Sequence, residues 1–253
     1  MNTYSQWHEE DNIVFHNQTM VYFGQCKKNR LMGLDDLLRI TSDVAVQEYN
    51  SKGISREKLL ENNFAILVSR VAFRFHKLPH ENQNITVSTW EETSDALQLY
   101  RQYEIKDTDT NESLVTGYSS WLLVDPKARR ILPTKKFTLR PPVSLKKGHD
   151  CMEPGKIVLP EGAVLLDERK IRYSDLDANG HTTNSRYGAF ILDCLPQEYL
   201  NKEYTDFKIN FSKEAMLGQT LKIYAFFDTD SKKIILQGTT EQGSSFESEL
   251  YYK

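Results

Sequence analysis

The two halves of this 253-residue chain resemble each other, and that repeat constrains the fold more than any other feature. At one constant, ungapped offset Phe75 falls on Phe211, Gln83 on Gln219, Ile85 on Leu221, Val87 on Ile223 and Trp90 on Phe226. Both segments alternate apolar and polar residues as a half-buried strand, a turn and a second strand do. Each runs into another alternating strand, residues 97–103 and 233–237, and closes on an aromatic-rich one, residues 119–124 and 248–252. One helical stripe precedes the strands of each half. Tyr187, Phe190, Ile191, Cys194 and Leu195 recur at helical spacing and stop at Pro196, because the residue before a proline disfavours helix. Leu34, Leu37, Leu38, Val44, Ala45 and Tyr49 form a longer, looser stripe with Gly53 beyond it. A short strand is expected ahead of each helix, near residues 19–23 and 168–173. The expected class is α+β: two copies of a unit in which one helix lies across a curved antiparallel sheet and buries one sheet face.

Five of the eight prolines fall between residues 133 and 160, with Lys135, Lys136, Arg140, Lys146, Lys147 and Lys156. That composition reads as an extended basic crossover, so the expected division is 1–132, a linker 133–160, and 161–253. No apolar run approaches the roughly 20 residues of a membrane helix. The N-terminal MNTYSQWHEEDN resembles neither a secretory signal nor an Arg-rich transit peptide. A net charge of -3 gives no global reason to expect nucleic-acid binding. Cys26, Cys151 and Cys194 are odd in number and lack metal or redox spacing, so they read as reduced thiols of a cytoplasmic protein. The expectation is no membrane, no nucleic acid, no cofactor and no metal.

Residues 174–181 gather Asp175, Asp177, Asn179 and His181 between a strand-like run and a helix. Three templates fit them. Asp175, Asp177, Asn179 and Gly180 match the opening of an EF-hand calcium loop, but Arg186 stands where that loop needs a bidentate glutamate. Asp and Asn before a helix also serve as caps and turn formers, which accounts for Asp175, Asn179 or Asn184 singly. The third template is a catalytic site, where helix N-terminal amides and Asn179 polarise a carbonyl, His181 relays or orients a proton, and Asp177 holds the histidine or a water. The repeat supplies an internal test. With Phe23 matched to Tyr173, Asn29 falls on Asn179, but Lys27 falls on Asp177 and Leu31 on His181; at the strand offset Leu78 falls on Glu214. The polar set therefore exists in one copy alone, which a shared structural need does not explain. Asp175 is left with a turn or capping role.

These residues carry a resemblance. Residues 173–181, then Asn184 and Tyr187, the run Phe207-Lys208-Ile209-Asn210-Phe211-Ser212-Lys213-Glu214, and in the first half Val87-Ser88-Thr89-Trp90, Ser119-Ser120-Trp121 and Asp125 through Arg130 resemble the acyl-acyl carrier protein thioesterase family. The resemblance spans nearly the whole chain, and its distinguishing signal is D-x-N-x-H followed by a glutamate on the next strand. It implies a tandem (double) hotdog fold, two antiparallel sheets each wrapped on a helix, with a degenerate N-terminal unit holding the acyl chain and a catalytic C-terminal unit. It implies catalytic roles for Asp177, Asn179, His181 and Glu214, and hydrolysis of fatty acyl-acyl carrier protein that ends chain elongation. Plant members carry a cysteine after that glutamate; Ala215 stands here, so a Cys–His mechanism is not available. Around residues 23–26 little of the family pattern matches.

On this reading Glu214 is the general base toward water, with direct attack by its carboxylate as the alternative. The competing reading of Glu214 is a surface ion pair with Lys213 or Lys208. The implied partner is an acidic, phosphopantetheinylated carrier protein, and Arg129-Arg130, Lys135-Lys136, Lys146-Lys147 and Arg169-Lys170 are candidates for docking it. An acyl-CoA thioesterase and a non-catalytic acyl-binding protein remain the alternatives. Monomer and homodimer both stand.

Overall fold

A computed structural model describes residues 4–148 and 150–253; the first three residues of the polar N-terminus and His149 of the linker lie outside the described residues. The chain forms two compact units, one of residues up to Met32 with Ile40–Met152, the other of Gly33–Arg39 with Glu153–Lys253.

In the first unit β1 (Ser5–His8) and β2 (Phe15–Met20) lead into α1 (Leu34–Ser51), of which this unit holds the part from Ile40 on, and a short α2 (Arg56–Glu61). The strands β3 (Ala65–Phe75), β4 (Asn84–Glu92), β5 (Gln98–Asp107) and β6 (Ser113–Asp125) follow, and β7 (Arg130–Ile131) pairs with β6. Among the described residues the antiparallel order is β1-β2-β4-β5-β6-β3. The α1 stripe is the expected one: Leu37, Leu38, Val44 and Ala45 are buried, and Gly53 ends the segment with φ 75°. One part of the interior was not foreseen. Glu48 and Tyr49 of α1 meet Arg101 of β5, Glu91 of β4 and Arg140 in a buried ionic cluster.

The second unit repeats the pattern with β8 (Val164–Lys170), α3 (Asn184–Cys194), a one-turn α4 (Gln197–Leu200), β9 (Tyr204–Phe211), β10 (Thr220–Asp228), β11 (Lys233–Thr240) and β12 (Gly243–Tyr252). Their order is β9-β12-β11-β10-β8, antiparallel throughout. The stripe of α3 faces this sheet: the Tyr187 ring lies 6.1 Å from Phe211 of β9 and 5.1 Å from Phe246 of β12. The helix ends before Pro196, as the sequence predicts. Cys194 is half-buried rather than core; its thiol donates to Ile191 O, and burial pushes it up to about 12.

Gly238 of β11 stands opposite Phe246. A Cβ there would sit 2.1 Å from the ring, which has no room to retreat because Phe246 is wholly buried. Gly238→Ala is therefore expected to destabilise the protein by about 1–3 kcal/mol, read as a lower urea midpoint with an unchanged slope.

The short strands begin and end earlier than expected, at Phe15–Met20 and Val164–Lys170. Val21 and Ile171 are buried past the strand ends, where their N–H groups bond to Gln83 O and Gln219 O. The chain then tightens into 3-10 turns at Phe23–Gln25 and Tyr173–Asp175, with Phe23 and Tyr173 facing solvent. The described residues of the proline-rich stretch beyond a 3-10 turn at Thr134–Lys136 form neither helix nor strand. Its first part is tied to its own unit by Thr93 N–H to Leu145 O at 2.9 Å and Lys147 N–H to Glu92 Oε1 at 2.8 Å. Among the described residues no helix is long and apolar enough to cross a membrane.

Candidate active site

The loop between β8 and α3 is built by backbone pairing. Leu176 bridges Thr182, Asp177 N–H donates to His181 O at 2.8 Å, and Gly180 N–H donates to Asp177 O at 3.0 Å. Gly180 takes φ 81°, a left-handed conformation that suits glycine. Asp177 closes the loop: its Oδ1 accepts the N–H of Asn179 at 2.8 Å and of His181 at 3.2 Å, and its Oδ2 lies 3.5 Å from Asn179 Nδ2. Asp177 thus holds the backbone of His181 and not its ring.

A second bridge, His181 to Met216, brings this loop against the connection between β9 and β10. Glu214 lies in that connection, just past the end of β9, and not on a strand as expected. His181 Nδ1 is 3.2 Å from Glu214 Oε1, and both side chains are partly open to water. The structure thus brings Asp177, Asn179, His181 and Glu214 together within the second unit. The two lysines nearby have partners: Lys208 pairs with Glu249 at 2.7 Å, and Lys213 donates to Gln242 O.

Asp175 belongs to the scaffold. It is buried, its Oδ2 accepts Arg172 N–H at 2.9 Å, and its Oδ1 accepts Arg186 Nε and Nη2 at 3.1 and 2.9 Å. The cation that spoiled the calcium template is thus the partner of the first calcium-loop position. Among the described residues no three His, Cys, Asp or Glu side chains gather as metal ligands. Asn184 is the first residue of α3; Thr183 stands at the N-cap and makes no side-chain cap bond.

The first unit contains the same loop with different chemistry. Cys26 bridges Met32 and Leu31 bridges His80, Lys27 N–H donates to Leu31 O at 2.9 Å, and Arg30 N–H donates to Lys27 O at 2.8 Å. There Asn29 closes the loop by accepting Leu31 N–H at 3.1 Å. In the second unit Asp177 has taken over that closure from the asparagine position. Backbone geometry is common to both copies; the carboxylate, imidazole and glutamate are confined to one.

The basic pairs are unequal. Arg129, Arg130, Lys135, Lys136, Lys146 and Lys170 are exposed. Arg169 pairs with Asp193 at 3.2 Å and lies 4.1 Å over the Phe190 ring. Lys147 lies 4.7 Å over Trp90. Arg169 is engaged within its own unit, while Lys147 is exposed.

Two family models match: the acyl-ACP thioesterase N-terminal domain over residues 12–137 and its C-terminal domain over residues 161–249. A chloroplastic palmitoyl-acyl carrier protein thioesterase of Cuphea hookeriana is 22% identical over 218 residues, covering 77% of this chain and 50% of that protein. A chloroplastic oleoyl-acyl carrier protein thioesterase 2 of Arabidopsis thaliana is 20% identical over 215 residues, covering 76% of this chain and 57% of its own. The chain spans about half the length of the curated relatives it matches. Among solved structures, an acyl-ACP thioesterase from Bacteroides thetaiotaomicron superposes with a TM-score of 0.88 at 19% identity, covering 97% of this chain and 100% of that one. The 12:0-ACP thioesterase from Umbellularia californica superposes at 0.80 and 15% identity, covering 95% and 97%. These likenesses establish the fold, and with the family models matched across both units, the chain belongs to the acyl-ACP thioesterase family.

Proposed function

We propose that this protein hydrolyses the thioester of fatty acyl-acyl carrier protein and releases free fatty acid. The observation that carries the reading is the 3.2 Å contact of His181 Nδ1 with Glu214 Oε1, beside Asp177 and Asn179, in one copy of the repeat only. Each unit is a hotdog, one helix wrapped by an antiparallel sheet, so that the whole is a double hotdog. The second unit carries the chemistry, and the first, with Lys27, Leu31 and Leu78 at the matching positions, holds the acyl chain.

The steps follow from the residues. Glu214 takes a proton from water, and the hydroxide attacks the thioester carbonyl carbon. The Asn179 side-chain amide receives the oxyanion. His181, protonated at Nδ1, donates to Glu214 and holds its carboxylate in place. As the tetrahedral intermediate collapses, the C–S bond breaks and the Glu214 proton passes to the leaving thiolate. Asp177 keeps the loop that presents Asn179 and His181.

The test is a panel of acyl chains of several lengths, each offered on carrier protein and on CoA. Free fatty acid is expected from the carrier-linked esters, with kcat/KM falling steeply with salt, by about tenfold from 50 to 200 mM, for the carrier but not for CoA. Equal kcat/KM and equal salt dependence would make it an acyl-CoA thioesterase. Binding without hydrolysis of any ester would make it an acyl-binding protein.

A further inference from the structure

Glu214 meets His181 Nδ1 at 3.2 Å. Its side chain is 42% exposed, so packing does not fix it, and it sits in a connection rather than a strand. The next residue, Ala215, is fully buried, and its carbonyl is held twice. Thr182 N–H donates to Ala215 O at 3.0 Å, and Thr182 Oγ1 donates to the same oxygen at 2.8 Å. A carbonyl oxygen has two lone pairs and accepts both.

The first unit separates the two bonds. There Met32 N–H donates to Pro79 O at 2.7 Å, the same backbone bond at the matching positions, and methionine has no hydroxyl to add. The fold therefore needs the N–H bond alone. The hydroxyl bond is an addition in the copy that carries Asp177, His181 and Glu214. Tyr187 is a second addition of the same kind. It replaces the buried Leu37 of the first copy, and its phenol has the Thr182 side chain and the Ala215 backbone as hydrogen-bonding neighbours. Burial pushes the Tyr187 phenol up, and the Glu214 charge acts in the same direction.

We propose that Thr182 is a positioning residue for Glu214: its buried hydroxyl, backed by Tyr187, fixes the Ala215 peptide and thereby holds the neighbouring carboxylate against His181. This rests on the hydrolase reading given above. Held by the N–H bond alone, the Ala215 peptide has more freedom to rotate, and a carboxylate displaced by about 1 Å loses the geometry for taking a proton from water.

Thr182→Val keeps the shape and the N–H bond and removes only the hydroxyl. It is expected to lower kcat about tenfold with KM within about twofold, and Thr182→Ser is expected to restore kcat to within about twofold. A crystal structure of T182V is expected to show the Glu214 carboxylate out of hydrogen-bonding reach of His181 Nδ1. An unchanged kcat in T182V with Glu214 still on His181, a rise in KM alone, or a loss that serine does not restore each overturns the inference. With wild-type enzyme active in the same assay, such a result leaves the hydrolase reading standing. A wild type inert toward every acyl thioester overturns that reading, and this one with it.

Discussion

Glu214→Gln is expected to lower kcat on acyl-carrier substrate by at least about a hundredfold, with KM and the thermal midpoint near wild type. The amide keeps the size of the side chain and still reaches His181, but it cannot take a proton from water. The folded state loses little, because the 3.2 Å contact joins two side chains that are partly exposed, and such pairs contribute little to stability. His181→Ala is expected to cost a similar factor for a different reason. Its backbone keeps the bonds to Asp177 and the bridge to Met216, so the loop survives and only the partner of Glu214 is lost. Wild-type turnover in either purified, folded variant removes that residue from the mechanism. A drop in thermal midpoint that parallels the loss of activity would instead assign the pair to folding.

Arg101→Met is expected to lower the unfolding free energy by about 3–5 kcal/mol. Arg101 is buried, bonds Glu48 at 2.8 Å and Thr89 Oγ1 at 3.2 Å, and lies 3.9 Å from Glu91. Glu91 is also held by Arg140 at 2.7 Å and by the Tyr49 hydroxyl at 2.6 Å. Removing one cation leaves buried carboxylates short of charge, and that penalty, not the worth of the pair, is what the variant measures. Glu48→Met combined with Arg101→Met is expected to recover most of the loss, giving a large coupling energy in the double-mutant cycle. A loss under about 1 kcal/mol in the single variant would show that solvent reaches the cluster. The pH dependence has a defined sign. Burial alone would raise the Glu48 carboxyl, but Arg101 and Lys52 outweigh it and hold the group below its usual 4.5. Its contribution is therefore present above 4.5 and lost as pH falls through the lower folded value, so the gap between wild type and Arg101→Met narrows only in acid.

The ionic cluster also shows where periodicity misleads. The run through β5 alternates as a strand should, and Leu99 and Tyr103 are buried, while Leu97 ahead of the strand is exposed. Arg101 lies on the same face, and nothing local in the sequence distinguishes a buried cation from one that snorkels to solvent. The signal lay in the repeat: Arg101 falls on Gln237 and Glu91 on Phe227, and in the second unit Tyr199 stacks 4.6 Å from Phe227 where Tyr49 bonds Glu91 in the first. The strands near residues 19–23 and 168–173 were misplaced for a related reason. Val21 and Ile171 have strand-like side chains, but their backbone bonds go to a neighbouring turn and not to a ladder. Sequence pattern reports which side chains are buried, not what holds the backbone beside them.

The sequence by itself determined the repeat, the two helices with their buried stripes and the identity of the three polar residues, Asp177, His181 and Glu214, that set one copy apart. Those properties follow from periodicity and residue type, which act over a few neighbouring positions. Only the tertiary structure decided what each polar residue does. Asp177 closes a loop, Asp175 binds Arg186, and His181 meets Glu214 because a bridge to Met216 brings two distant segments side by side. Such a meeting depends on strand register and turn geometry, which are set by the whole sheet and leave no mark on the few residues around either side chain.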